Sequence, residues 1–116
     1  MWTYEQATGI LSWQGRKIGR GYAGTGEGRN NPLLEGVRSV GPIPRGRYHI
    51  GKSYRHKSLG PVVMNLDPIG HDALGRTHFR IHGDSKDGDA SRGCIVLNRT
   101  LRERIRASGE KELNVV

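Results

Sequence analysis

Glycine and proline set the first limit on this chain. Glycine takes 18 of 116 positions and proline 5, so about a fifth of the residues favour turns over long regular elements. Long helices have little room between such breakers, whereas short strands joined by tight turns fit well. The hydrophobic share is 34%, below the ~45–50% of an ordinary soluble domain, so the core is thin. The length corresponds to one domain, residues 1–116, with no repeat, low-complexity tract or linker. No apolar run approaches the ~18 residues of a membrane helix, and no membrane insertion is expected. Met1 to Leu11 lacks a basic stretch followed by an apolar one, so no signal peptide is expected.

Read along the chain, the pattern is mainly β. Trp2 to Gln6 and Ile10 to Trp13 form a first hairpin around Ala7-Thr8-Gly9, and Arg16 to Ala23 a third strand. Gly24 to Arg29 reads as a flexible loop, because no Lys-Ser/Thr and no helix follow as a phosphate-binding loop needs. Asn31 caps a short turn opened by Pro32. Gly41-Pro42-Ile43-Pro44-Arg45-Gly46 is a rigid turn leading into a strand with Tyr48 and Ile50 on one face. Val62 to Leu66 is another strand, and Pro68 to Gly75 a loop. Thr77 to His82 alternates, predicting His78, Arg80 and His82 on one face and Phe79 and Ile81 on the other. One helix is expected, with Thr100 and Glu103 as a capping box and Gly109 as its stop, before a closing strand from Leu113 to Val116.

The net charge is +8, and 14 of the 19 cations are arginine. That suits an oxyanion-bearing partner, since guanidinium binds carboxylate or phosphate through paired hydrogen bonds. The cations are dispersed, aromatic residues are 6%, and no helix-turn-helix or zinc-finger spacing is present, so nucleic acid is not the expected partner. Bacterial cell wall, with its stem-peptide carboxylates, is the other anionic polymer that fits.

The lone cysteine excludes an internal disulfide and a multi-Cys zinc site. It also stands in the most informative segment: His82-Gly83-Asp84-Ser85, then Ala90-Ser91-Arg92-Gly93-Cys94-Ile95. A strand delivers a histidine at its exit, and a cysteine follows a glycine twelve residues later. A thiol becomes a strong nucleophile on losing its proton, and a nearby imidazole is the usual base. Gly93 lets backbone approach a substrate, and N–H groups around Gly93 and Cys94 can face a developing oxyanion. The plainer alternatives, a buried structural Cys94 and a strand-end His82 bonded to a carbonyl, stay open at this point. Ser91 is better suited to bonding the loop backbone than to acting as a nucleophile.

Ser91-Arg92-Gly93-Cys94-Ile95 with the upstream His82-Gly83 resembles the catalytic motif of L,D-transpeptidases. Together with Val40-Gly41-Pro42-Ile43-Pro44-Arg45-Gly46-Arg47-Tyr48, Phe79-Arg80-Ile81-His82-Gly83-Asp84-Ser85 and the opening Trp2-Thr3-Tyr4-Glu5-Gln6-Ala7-Thr8-Gly9, it resembles the small L,D-transpeptidase-like domains of type VI secretion effectors and related phage genes. The resemblance spans nearly the whole chain. It implies a small, mainly β sandwich with one short helix near the C-terminus, and a peptidoglycan L,D-carboxypeptidase or L,D-transpeptidase acting on tetrapeptide stems. It implies Cys94 as nucleophile, His82 as base, the Gly83 carbonyl orienting the imidazole, and backbone N–H groups of Arg92, Gly93 and Cys94 as the oxyanion hole.

Two departures stand out. Arg92 occupies the place of a second histidine, and Val96 the place where the larger family often has an arginine. Arg80 is the first candidate for a substitute carboxylate anchor and Arg92 the second, with Ser91 and His78 as further substrate-side residues. An activated Cys94 is expected to be alkylated well below the ordinary thiol pKa of ~8.5. No cofactor or metal is implied. Two rival readings remain: a zinc amidase or carboxypeptidase using His71, His78, His82 and Asp84, and a non-catalytic basic module binding wall or nucleic acid. With no signal peptide expected, synthesis in the cytoplasm followed by delivery to the periplasm of a target bacterium, through a secretion machine or by phage lysis, is the expected route; the resemblance supports the first, and implies an immunity protein as partner.

Overall fold

The computed structural model describes residues 1–116. The elements are β1 (Trp2–Tyr4), β2 (Ile10–Trp13), β3 (Arg16–Arg20), β4 (Tyr22–Ala23), β5 (Gly46–Ile50), β6 (Tyr54–His56), β7 (Gly60–Ile69), β8 (Phe79–His82), β9 (Ile95–Val96), α1 (Arg99–Ser108) and β10 (Glu112–Val115). The domain is therefore mainly β with one helix near its C-terminus, as the sequence indicates. The strands form one ladder in the order β3-β2-β1-β10-β5-β7-β8-β9-β4, with β6 pairing β7.

The two ends of that ladder, β3 and β4, are separated in sequence only by Gly21. The ladder must therefore curl until its ends meet, so the two layers expected of a sandwich are one sheet rolled on itself. Gly21 lies at the seam. Its N–H donates to Gly9 O at 2.8 Å. A Cβ there would stand 2.0 Å from Val96 O, which only glycine avoids.

Strand alternation fills the interior. Tyr48 and Ile50 are buried while His49 between them is exposed, and Phe79, Ile81 and Ile95 join the same core. Burying each large apolar side chain stabilises by roughly 1.5–3 kcal/mol. The strand β7 runs on through Pro68, where a loop was expected. There β7 has only β5 as neighbour, since β8 covers Met64 to Leu66, and proline is tolerated at such a local edge. The short strand β6 carries no clear apolar alternation and escapes the sequence pattern.

The cap of α1 also differs from expectation. Asn98 is the N-cap, and its side-chain oxygen accepts from Leu101 N–H at 2.9 Å. The helix thus begins before Thr100. Glu103 does not close a capping box but pairs with Arg99 and Arg106. Asn is at least as good a cap as Thr, and it reaches the free N–H groups of the first turn first. Gly109 ends the helix in the left-handed conformation, as expected.

The turn from Gly41 to Gly46 is braced from three sides. Tyr48 donates its hydroxyl to Pro44 O at 2.8 Å. The buried Gln6 amide donates to Ile43 O at 2.9 Å and to Glu35 Oε1 at 3.0 Å. Arg45 forks onto the Glu35 carboxylate. That pairing, aided by the Gln6 and backbone hydrogen bonds and opposed by partial burial, lowers the Glu35 pKa to about 2. The folded value lies below the ordinary 4.5, so the stabilisation is full above about 4.5 and is lost as the pH falls toward 2. Thermal melts should therefore show Glu35→Gln less stable than wild type at neutral pH. The gap between the two should narrow below about pH 4.5 and close near pH 2.

Candidate functional site

The site is built on the parallel pair β8 and β9. Their register sets Ile81 against Ile95 and His82 against Val96. Ile81 and Ile95 point into the core, so Arg80, His82, Val96 and Cys94 fall on the opposite face. One further step of the register sets Cys94 beside Arg80 and one diagonal step from His82. Strand spacing makes that diagonal about 8 Å between Cα atoms, a gap two inclined side chains can span.

Parallel strands need a crossover of about a dozen residues. Residues 83–94 supply it without a helix, so side chains must pin it. Tyr22 donates its hydroxyl to Asp84 Oδ1 at 2.6 Å and accepts from Ala90 N–H at 2.9 Å. Burial and the Asp84 carboxylate push the Tyr22 pKa up to about 12, so the phenol stays a donor. Thr25 Oγ1 donates to Asp89 at 2.7 Å. The glycine-rich stretch from Gly24 to Arg29 is thus the cradle of the crossover rather than a free loop.

Ser91 is the innermost pin. Its Oγ accepts from Gly24 N–H at 2.8 Å and from Gly93 N–H at 3.0 Å, and donates to Cys94 O at 2.7 Å. It is 1% exposed. With its donor and both lone pairs engaged, Ser91 has nothing left for a substrate, which corrects its placement among the substrate-binding residues. The same bond occupies the Gly93 N–H and removes it from the expected oxyanion hole.

His82 Nδ1 lies 2.8 Å from Gly83 O. A carbonyl only accepts, so Nδ1 carries the proton of the neutral ring and Nε2 keeps its lone pair. Burial lowers the His82 pKa; the bond to Gly83 opposes this, and the charges of Arg102 and Arg80 add to it. Arg102 is itself buried against Leu97 O, Pro61 O and Val62 O, and it fills the space beside Gly83. Burial raises the Cys94 thiol above its ordinary value, opposed by the Arg80 N–H and by the charges of Arg80 and Arg76. The resting pair is therefore neutral thiol and neutral imidazole. Burial thus works against the expected ionisation of the thiol below its ordinary pKa.

Cys94 opens onto a cleft of about 320 Å³ lined by Arg38, Ser39, Arg76, Thr77, Phe79 and Arg92, together with His78. A second hollow, about 230 Å³, shares Thr77, His78 and Phe79 and continues past Arg80. Another cleft of similar size, around Ile50, Lys52, Met64 and Lys111, holds neither thiol nor imidazole. Arg38 and Arg92 are exposed, and neither guanidinium meets a carboxylate, whereas Arg80 Nε donates to Tyr54 Oη at 3.2 Å. His78 does not share the strand face of Arg80 and His82. Its φ of 66° takes it out of the strand, and its carbonyl receives the Cys94 thiol at 3.6 Å. Such a φ is uncommon outside glycine and is a local strain at the site.

The four alternative zinc ligands are not brought together. His71 holds Arg47 O through Nε2 and Ala73 N–H through Nδ1, and Asp84 is tied to Tyr22. No three His, Cys, Asp or Glu side chains converge anywhere in the domain. Arg38 and Arg76 carry no local sequence signal and were not legible as site residues; only the fold brings them to Cys94.

A small rolled β domain presenting a thiol and an imidazole from adjacent parallel strands defines the structural class. Within it, residues 17–116 match the family model of the Tlde1 domain, and the chain belongs to that family, which is associated with type VI secretion effectors. No curated protein matches the chain. The Ser91 account has a direct check. Ser91→Ala should destabilise the fold by about 2–3 kcal/mol in denaturant unfolding, since two buried N–H groups and a carbonyl lose their partner. A role in substrate contact alone would leave that stability unchanged.

Proposed function

We propose that this domain is a cysteine-dependent peptidoglycan-modifying enzyme acting on tetrapeptide stems, as an L,D-carboxypeptidase, an L,D-transpeptidase exchanging the terminal D-Ala, or both. The observation that carries the reading is the β8–β9 register, which sets Cys94 one diagonal step from His82, with His82 Nδ1 held by Gly83 O so that Nε2 keeps its lone pair to act as base. The Tlde1 family membership supports an antibacterial effector context.

In this reading the attack and the proton transfer are coupled, because burial disfavours both charged partners at rest. The Cys94 Sγ–H proton passes to His82 Nε2 as the Sγ–C bond forms at the carbonyl of the third stem residue. The N–H groups of Arg92 and Cys94 receive the oxyanion, Gly93 being engaged by Ser91. Collapse breaks the C–N bond, and the imidazolium returns its proton to the departing D-Ala amine. Water then cleaves the thioester to a tripeptide, or the amine of another D-amino acid resolves it to an exchanged tetrapeptide. Arg38 and Arg92, unpaired at the mouth of the Cys94 cleft, take the substrate carboxylate in preference to Arg80. The protein is made in the cytoplasm, works in the periplasm of a target bacterium, and requires an immunity partner in the producing cell.

Incubation with tetrapeptide muropeptides, read by mass spectrometry, tests the assignment. Tripeptide or exchanged tetrapeptide is expected from wild type. Cys94→Ala should abolish it, and His82→Gln should lower kcat by about 10²–10⁴-fold. No product from wild type, or full activity in Cys94→Ala, overturns the reading. Arg38→Ala should raise KM about tenfold or more with kcat nearly unchanged, the signature of a lost charge-assisted contact made equally in ground and transition states. Unchanged KM removes Arg38 from the substrate site.

A further inference from the structure

Arg76 is 5% exposed and has no carboxylate partner. Its guanidinium is held by backbone carbonyls alone. Nη1 donates to Glu35 O and to Pro42 O at 2.9 Å, and Nη2 to Gly41 O at 3.1 Å and Arg92 O at 3.3 Å. The Glu35 carboxylate itself is turned to Arg45 and Gln6. The Phe79 ring lies 5.1 Å from the guanidinium. A Cβ at Gly93, whose φ is 126°, would stand 2.5 Å from Nη2, so glycine at that position is what admits the cation beneath the nucleophile loop.

A buried charge without a counter-ion is costly, and an apolar side chain of similar volume would burden the fold less. Two acids face Arg76, the Tyr48 phenol and the Cys94 thiol. Burial raises the Tyr48 pKa and its hydroxyl donates to Pro44 O, so Cys94, which lines the same cleft, is the one that can become anionic near neutral pH. The other charged or titratable groups around that sulfur are Arg80, His82 and His78 from β8 and its entry, Arg38 across the cleft, and Arg92 in its own loop. Arg38 and Arg92 are exposed and screened by solvent, whereas Arg76 is fixed by four acceptors and screened least.

We propose that Arg76 is a positioning residue for Cys94: it clamps the turn at Gly41-Pro42 to the nucleophile loop at Arg92-Gly93 and stands as a fixed cation beneath the sulfur as it becomes a thiolate. This rests on Cys94 being the nucleophile, and its test needs no peptidoglycan, so the two can fail separately. The probe is iodoacetamide alkylation of Cys94 across pH. Arg76→Met should slow alkylation about tenfold at neutral pH and move its midpoint up by about one unit. Arg76→Lys, which keeps the charge, should bring the midpoint back most of the way while losing thermal stability, because it cannot fork onto both segments. A folded Arg76→Met with the wild-type midpoint, or a lysine variant no closer to wild type than methionine, overturns the proposal. A second reading does not depend on the Arg76 variants folding. The Arg76 guanidinium 15N resonances should shift with the midpoint of Cys94 alkylation, and the shift should vanish in Cys94→Ser. Resonances that stay flat through that midpoint also overturn it.

Discussion

The parallel pairing of β8 with β9 is the constraint on which the rest of the site depends. Parallel strands cannot be joined by a tight turn, so the chain between His82 and Ile95 must leave the sheet and return. Its return point places Cys94 level with Arg80, one diagonal from His82. The residues that hold the excursion in place, Tyr22, Thr25 and Ser91, bond to its backbone or to its aspartates and leave the cleft unobstructed. The roll of the sheet contributes to the same end. Because Gly21 joins the two ends of the ladder, Tyr22 and Gly24 arrive beside β9 and can receive the crossover.

The electrostatics follow from burial and from arginine. Desolvation disfavours the thiolate and the imidazolium alike, so burial favours the neutral form of Cys94 and of His82. The surrounding cations act on the two partners in useful directions. Arg102 and Arg80 keep the imidazole unprotonated, ready to accept, while Arg80 and Arg76 lower the cost of a thiolate. The +8 charge, which first suggests any anionic polymer, concentrates at the site into Arg38 and Arg92 facing a cleft open to solvent. In the proposed function an anionic stem peptide would meet this positive wall before it meets Cys94.

Local pattern carried much of this to the surface of the sequence. The hairpin of β1 and β2, the alternation at Tyr48 and Ile50, the Phe79/Ile81 face and the αL stop at Gly109 are all short-range signals, and the structure has them where the pattern puts them. What the pattern missed depends on contacts distant in the chain. Gly21 is a seam only because β3 and β4 close the roll. Arg76 is a site residue only because Gly93 leaves room for it seventeen residues later in the chain. His78 leaves its strand face at a φ of 66°, which alternation cannot express, and its carbonyl faces the Cys94 thiol. Ser91 was legible as a loop-bonding residue, yet its full engagement, and with it the loss of the Gly93 N–H from the oxyanion hole, needed the three-dimensional arrangement.

The central claim is that Cys94 forms a thioester with the third stem residue while His82 carries the proton. Acid-quenched intact-protein mass spectrometry, taken early in the reaction with a tetrapeptide muropeptide, reads that bond directly. The account expects wild type to gain the mass of the substrate less D-Ala, mapped to Cys94 after digestion and discharged by hydroxylamine. Turnover of the muropeptide without such an adduct under any quench time, or an adduct that maps to another residue, would contradict it.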